Sequence, residues 1–120
     1  MNRAIVFVIA LGASTLSVAS DNLIPYKVIN RSEMAHYKVS FDVEVPLVGN
    51  RLPNKQELGE ISKHLISNER KHDRSFVLFF LPGMNLDSGA YATAHHTPEM
   101  EVNVMKYMLI QYPKYKQYAQ

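Results

Sequence analysis

The chain contains no cysteine, and that absence closes several routes at once. No disulfide can staple an exported fold of this size, so stability must come from packing. There is no thiol to carry a lipid anchor at a signal cleavage site, and none to act as a nucleophile. Charge of one sign is scarce as well. Thirteen Lys and Arg against eleven Asp and Glu leave a formal charge of +2, and the basic footprint of a nucleic-acid binder is missing. No nucleic-acid partner is expected. The five His add positive charge only in acid. A G-x-S-x-G elbow is lacking, and so is any internal repeat.

What is present at the N-terminus has the tripartite pattern of a signal peptide over residues 1–20. Asn2 and Arg3 make a short positive region, and Ala4 to Leu11 is an uninterrupted apolar run. Ser17-Val18-Ala19-Ser20 supplies small residues, placing cleavage after Ala19 or Ser20. The run falls short of the ~20 apolar residues that cross a bilayer, so no membrane anchor is expected after cleavage. A mature chain of about 100 residues, 21–120, is enough for one domain and not for two.

Periodicity within that domain predicts an α+β fold. Tyr26 and Val28 alternate with Lys27 in a short first strand, with Pro25 at its start, and Asn30-Arg31-Ser32-Glu33 reads as a turn. Tyr37, Val39, Phe41, Val43 and Val45 alternate strictly with polar residues, which gives a strand with one buried face. Asn54 with Glu57 three residues later makes a capping-box pattern that opens a helix to about Asn68, with Leu58, Ile61 and Leu65 on one stripe. Gly59 inside this helix suggests close packing on a sheet. Phe76 to Leu81 is apolar at every position and of strand length, so it is read as a central strand covered on both faces. Ala90, Ala92 and Ala94 oppose Tyr91, Thr93 and His95 in a fourth strand. Residues 99–105 fit either a fifth strand, from the alternation of Met100, Val102 and Val104, or a helix capped by Thr97 with Pro98 at its first position. The expected architecture is one helix on a small, mainly antiparallel sheet in the order β-β-α-β-β-β. The Tyr- and Lys-rich tail is expected to dock in its first half and fray over about 112–120.

Phe79-Phe80-Leu81-Pro82-Gly83-Met84, followed by Gly89-Ala90-Tyr91-Ala92-Thr93 and Pro98-Glu99-Met100-Glu101-Val102, resembles a family of small exported bacterial domains. Its members show a Leu-Pro-Gly-Met segment and then Gly-Ala-Trp-Ala-Thr or a close variant. The resemblance spans about Tyr26 to Val104, with Tyr91 standing where the family has Trp, and the tail after Met105 has no counterpart in it. It implies an α+β fold and an exported setting, and it carries no activity with it.

Two functional classes follow. The leading expectation is a non-enzymatic accessory or binding protein, periplasmic or secreted, whose partner is a protein or a cell-envelope component. Its binding surface would be the Pro82–Gly89 loop, with Met84 and Leu86 as apolar anchors, extended by Tyr91 and His95 along one strand face. No cofactor and no metal are expected. His95 and His96, with His36, His72, Asp87 and Glu99 as helpers, offer imidazole and carboxylate ligands, but neighbours in a strand point to opposite faces. The alternative is a small periplasmic hydrolase or metal-dependent enzyme using His95, Asp87 and Ser88. A serine in an Asp-Ser-Gly turn is more often there for the turn itself.

Overall fold

In the computed structural model, which describes residues 23–97 and 99–119, the alternating segment around Phe41 forms strand β2, Lys38–Glu44. Val39, Phe41 and Val43 are buried while the residues between them are half-exposed. It lies between β1, Lys27–Met34, and β3, Arg74–Phe80, pairing antiparallel with the first and parallel with the second. The parallel pair needs a crossover, and helix α1, Lys55–Ser67, provides it. β3 is followed by β4, Ala92–His96, and β5, Met100–Val104, both antiparallel to their neighbours. The sheet order is β1-β2-β3-β4-β5, with β3, apolar from Phe76 to Phe80, at its centre. The fold is α+β with the expected element order. Residues 100–104 are strand, which decides between the two readings of that segment. The expected signal peptide, residues 1–20, lies outside the described residues.

Helix α1 forms where its cap dictates. The Asn54 side chain accepts from the Glu57 N–H at 2.8 Å, and the Glu57 carboxylate accepts from the Asn54 N–H at 2.9 Å. Arg51 holds the same carboxylate with two further bonds, at 2.8 and 2.9 Å. Leu58, Ile61 and Leu65 turn inward onto a sheet face made by Val39, Phe41 and Val43 of β2, Val77 and Phe79 of β3, Ala92 and Ala94 of β4, and Val102 and Val104 of β5. Burying one such aliphatic or aromatic side chain contributes about 1.5–3 kcal/mol. The alanines of β4 let the helix come close. Gly59 faces Val102, but a methyl group there would lie 3.7 Å from Val102 Cγ2, an ordinary contact. Close packing therefore does not require this glycine.

Three segments depart from the sequence reading. Asn30 to Glu33 is not a turn but the second half of β1, and the turn falls at Ala35–Tyr37, with Ala35 at φ +46°. β1 is an edge strand that is exposed along most of its length, so it has no apolar alternation to announce it. Over 112–119 the tail packs against the loop that follows β3. Tyr115 is buried and donates to the Pro82 carbonyl, while the Tyr112 hydroxyl accepts from the Asn85 N–H at 3.0 Å. Tail and loop thus form one unit that closes the Phe80 end of the sheet. Finally, Tyr91 stands just before β4 and does not share the outward face of Thr93 and His95.

Candidate functional site

Among the described residues, the sheet has a helix on one face only. The register places three rows of side chains on the other. Met34, Lys38 and Arg74 form the first row, Ser32, Ser40, Phe76, His95 and Glu101 the second, and Asn30, Asp42, Leu78, Thr93 and Asn103 the third. Beyond them Glu44 and Phe80 make a fourth row, where Phe80 is buried. Strand geometry puts alternate residues of β3 on this face, and because its run from Phe76 to Phe80 has no polar positions, those residues are apolar. Phe76 and Leu78 are left half-buried at the middle of a surface that is otherwise polar apart from Met34.

Phe76 is the centre of the arrangement. Its ring stacks on His95 across the β3–β4 pair, with centroids 5.6 Å apart and planes inclined by 23°. On the β2 side, the Lys38 ammonium sits 5.1 Å from the same ring. His95 Nε2 lies 3.8 Å from a Glu101 carboxylate oxygen on β5. Asp42 accepts from the Asn30 amide at 3.2 Å. The surface therefore carries a cation, an aromatic ring, an imidazole and a carboxylate on four adjacent strands, the last three in one row. It suits recognition of a partial-polar, partial-apolar surface, with aromatic contact at its middle and adaptable charges around it.

The residues expected to form a binding patch are dispersed. Met84 is buried under the Leu81–Met84 turn, and its sulfur accepts from the Leu81 N–H at 3.3 Å. Pro82 and Gly83, the latter at φ +88°, occupy the central positions of that turn as in a type II turn. Tyr91 is buried and donates its hydroxyl to the Pro53 carbonyl at 2.7 Å, beside the helix N-terminus. Leu86 is exposed, on the short 3₁₀ turn Leu86–Ser88. Only His95 belongs to the open face. Met84 folds back because a small domain has little apolar surface to leave in water. Asp87 and Ser88 follow the C-terminal end of β3, whereas His95 pairs with Phe76 near its start, so the three do not converge. Among the described residues no three His, Asp or Glu side chains gather as metal ligands. Sequence reasoning missed Lys38, Phe76 and Leu78. Their signal was parity: the even-numbered residues of β2 and β3 share a face, and only β3, from Phe76 on, makes its even positions apolar.

A second polar cluster ties β1 to the connector after α1. Arg31 makes two bonds to Glu69, at 3.0 and 2.6 Å. Glu33 accepts from Arg70 Nε at 2.7 Å and from His72 Nε2 at 2.6 Å. The hydrogen bonds from His72 and then Arg70 hold the Glu33 carboxyl down at about 2. The His72 side chain is fully covered, and its Nδ1 has no partner among the described residues. This cluster is structural, bracing an edge strand that the helix does not reach.

The chain matches no family model, no curated protein and no solved structure in the comparisons made with each.

Proposed function

We propose that the protein is an exported, non-enzymatic accessory protein that binds a protein or cell-envelope component through the open face of its sheet. The observation that carries this reading is the Lys38–Phe76–His95 stack on a sheet face that the helix leaves bare. A central strand that is apolar on both faces is normally covered twice. Among the described residues the helix supplies one cover, and the tail closes only the Phe80 end of the other. The N-terminal signal pattern and the resemblance to small exported bacterial domains support the export half of the reading.

The experiment is capture from a periplasmic extract with C-terminally tagged protein, comparing wild type with Phe76→Ser/His95→Ser. Wild type is expected to retain a specific partner, and the double variant to lose it while melting cooperatively. Equal capture by both would remove the sheet face from the reading. Intact mass of the purified bait reads the export step, with loss of residues 1–19 or 1–20 as the expected result.

A further inference from the structure

On the helix side of the sheet, away from the open face, the segment leading into α1 and the C-terminal tail enclose an open cleft of about 510 Å³. That is within the size range of small-molecule sites. Three cationic side chains line it, Arg51, Lys55 and Lys106, and no carboxylate does. Arg51 is neutralised by its two bonds to Glu57. Lys55 and Lys106 form no ion pair among the described residues. They come from unrelated parts of the chain, the first residue of α1 and the first of the 3₁₀ segment Lys106–Gln111, and the fold sets them facing one cavity.

Local structure gives no reason for that placement. Lys55 occupies the first turn of α1, where the helix dipole disfavours a cation and an acidic residue is the stabilising choice. The terminus is already closed by Asn54 and Glu57 capping each other, so the positive charge of the cleft belongs to the lysine side chains. Two unpaired ammonium groups around one concavity repel each other and attract an anion. The remaining walls are not those of a bare ion site. Tyr118 contributes aromatic surface, and the buried Tyr91 ring forms part of the wall. The Tyr91 hydroxyl is committed to Pro53, so what Tyr91 adds is ring. Asn50 adds an amide at the rim. Aromatic wall, amide and paired ammonium groups together match a ring that bears an anionic group.

The geometry points to this cleft as a binding site for a small anionic sugar, a ring carrying a carboxylate or a phosphate, held by Lys55 and Lys106 with the ring against Tyr118. This site is independent of the open sheet face.

The test is an amide NMR titration of the protein with glucuronate, glucose phosphate, neutral glucose and inorganic phosphate. The expected result is saturable shifts confined to 50–55, 104–106 and 118. At least one of the two anionic sugars should bind tenfold or more tighter than both glucose and inorganic phosphate, and which one does so tells carboxylate from phosphate. Lys55→Gln/Lys106→Gln should weaken that sugar tenfold or more, and Tyr118→Leu should weaken it severalfold without changing inorganic phosphate. All of these side chains lie at the surface or rim, and melting curves report the fold of each variant. Inorganic phosphate binding as tightly as either sugar would overturn the proposal by reducing the cleft to a patch of charge. Absence of saturable shifts with both anionic sugars would overturn it outright, and wild-type titrations suffice for both outcomes.

Discussion

The Tyr91 hydroxyl donates to the Pro53 carbonyl at 2.7 Å, joining the start of β4 to the residue before the α1 N-cap. This bond explains why a residue expected at a binding surface belongs to the core. It anchors the chain where the helix must begin, and it satisfies a buried-side carbonyl that lies just outside the helix ladder, which starts at the Asn54 carbonyl. Tyr91→Phe keeps the ring and leaves that carbonyl unpaired, so it should lose about 1–2 kcal/mol in denaturant unfolding. Burial, and after it the negative charge of Glu57, pushes the Tyr91 hydroxyl up to about 12. The unfolded chain ionises this tyrosine near 10, so stability should fall as pH rises from about 10 to 12. Phenolate absorbance should lose its last-titrating component in Tyr91→Phe.

Phe79 and Leu78 are neighbours on the central strand with different surroundings. Phe79 faces α1 and is fully buried, whereas Leu78 lies half-buried on the open face between Asp42 and Thr93. Phe79→Ala should lose about 3–5 kcal/mol by removing a buried aromatic ring. Leu78→Ala should lose about 1–2 kcal/mol, because its side chain gives up only part of a burial. Urea midpoints measured on both variants compare the two faces of the sheet. Equal losses would mean that the second face is as well covered as the first.

Where one periodicity dominated, the fold was legible from residues alone. β2 alternates because one of its faces meets the helix, and Asn54 with Glu57 marks the helix start because the cap is a local interaction within four residues. The second half of β1 was not legible. Its helix-side residues Arg31 and Glu33 are charged since they pair with Glu69, Arg70 and His72, more than thirty-five residues away. The docked tail was hidden for a similar reason, because the partners of Tyr112 and Tyr115 are backbone groups of the Pro82–Gly89 loop. Of the candidate site, His95 was found and Phe76 was not. An apolar run shows that a strand is central, but which of its residues remain at the surface depends on how far the cover extends.

Two glycines should respond to alanine in opposite directions. Gly59 lies inside α1 with room for a methyl group, 3.7 Å from Val102 Cγ2. Gly59→Ala removes a helix-interior glycine and should gain about 0.5–1 kcal/mol. Gly83 has open space around it but sits at φ +88° in the turn after β3. Gly83→Ala should lose about 1–2 kcal/mol from backbone strain alone. Thermal melts of the two single variants and the double suffice. The effects should add, because the helix interior and the β3 turn share no partner.

Glu33 should make the protein acid-sensitive through a carboxyl held down at about 2 by hydrogen bonds from His72 and Arg70. Its ordinary value is 4.5. A carboxylate depressed on folding stabilises the native state above its unfolded value, and that contribution is lost as pH falls through the folded one. Stability should therefore decline between pH 4.5 and about 2 as Glu33 takes up a proton. Glu33→Gln keeps the shape and removes the charge. It should be less stable than wild type at neutral pH, where the covered His72 and Arg70 lose their carboxylate, and it should show a shallower decline in acid. Loss of the brace should also appear locally, as faster amide exchange in the second half of β1, which pairs with β2 alone. Unfolding curves collected from pH 7 to pH 2 on both proteins make the comparison, and parallel curves would show that the acid response comes from other carboxylates.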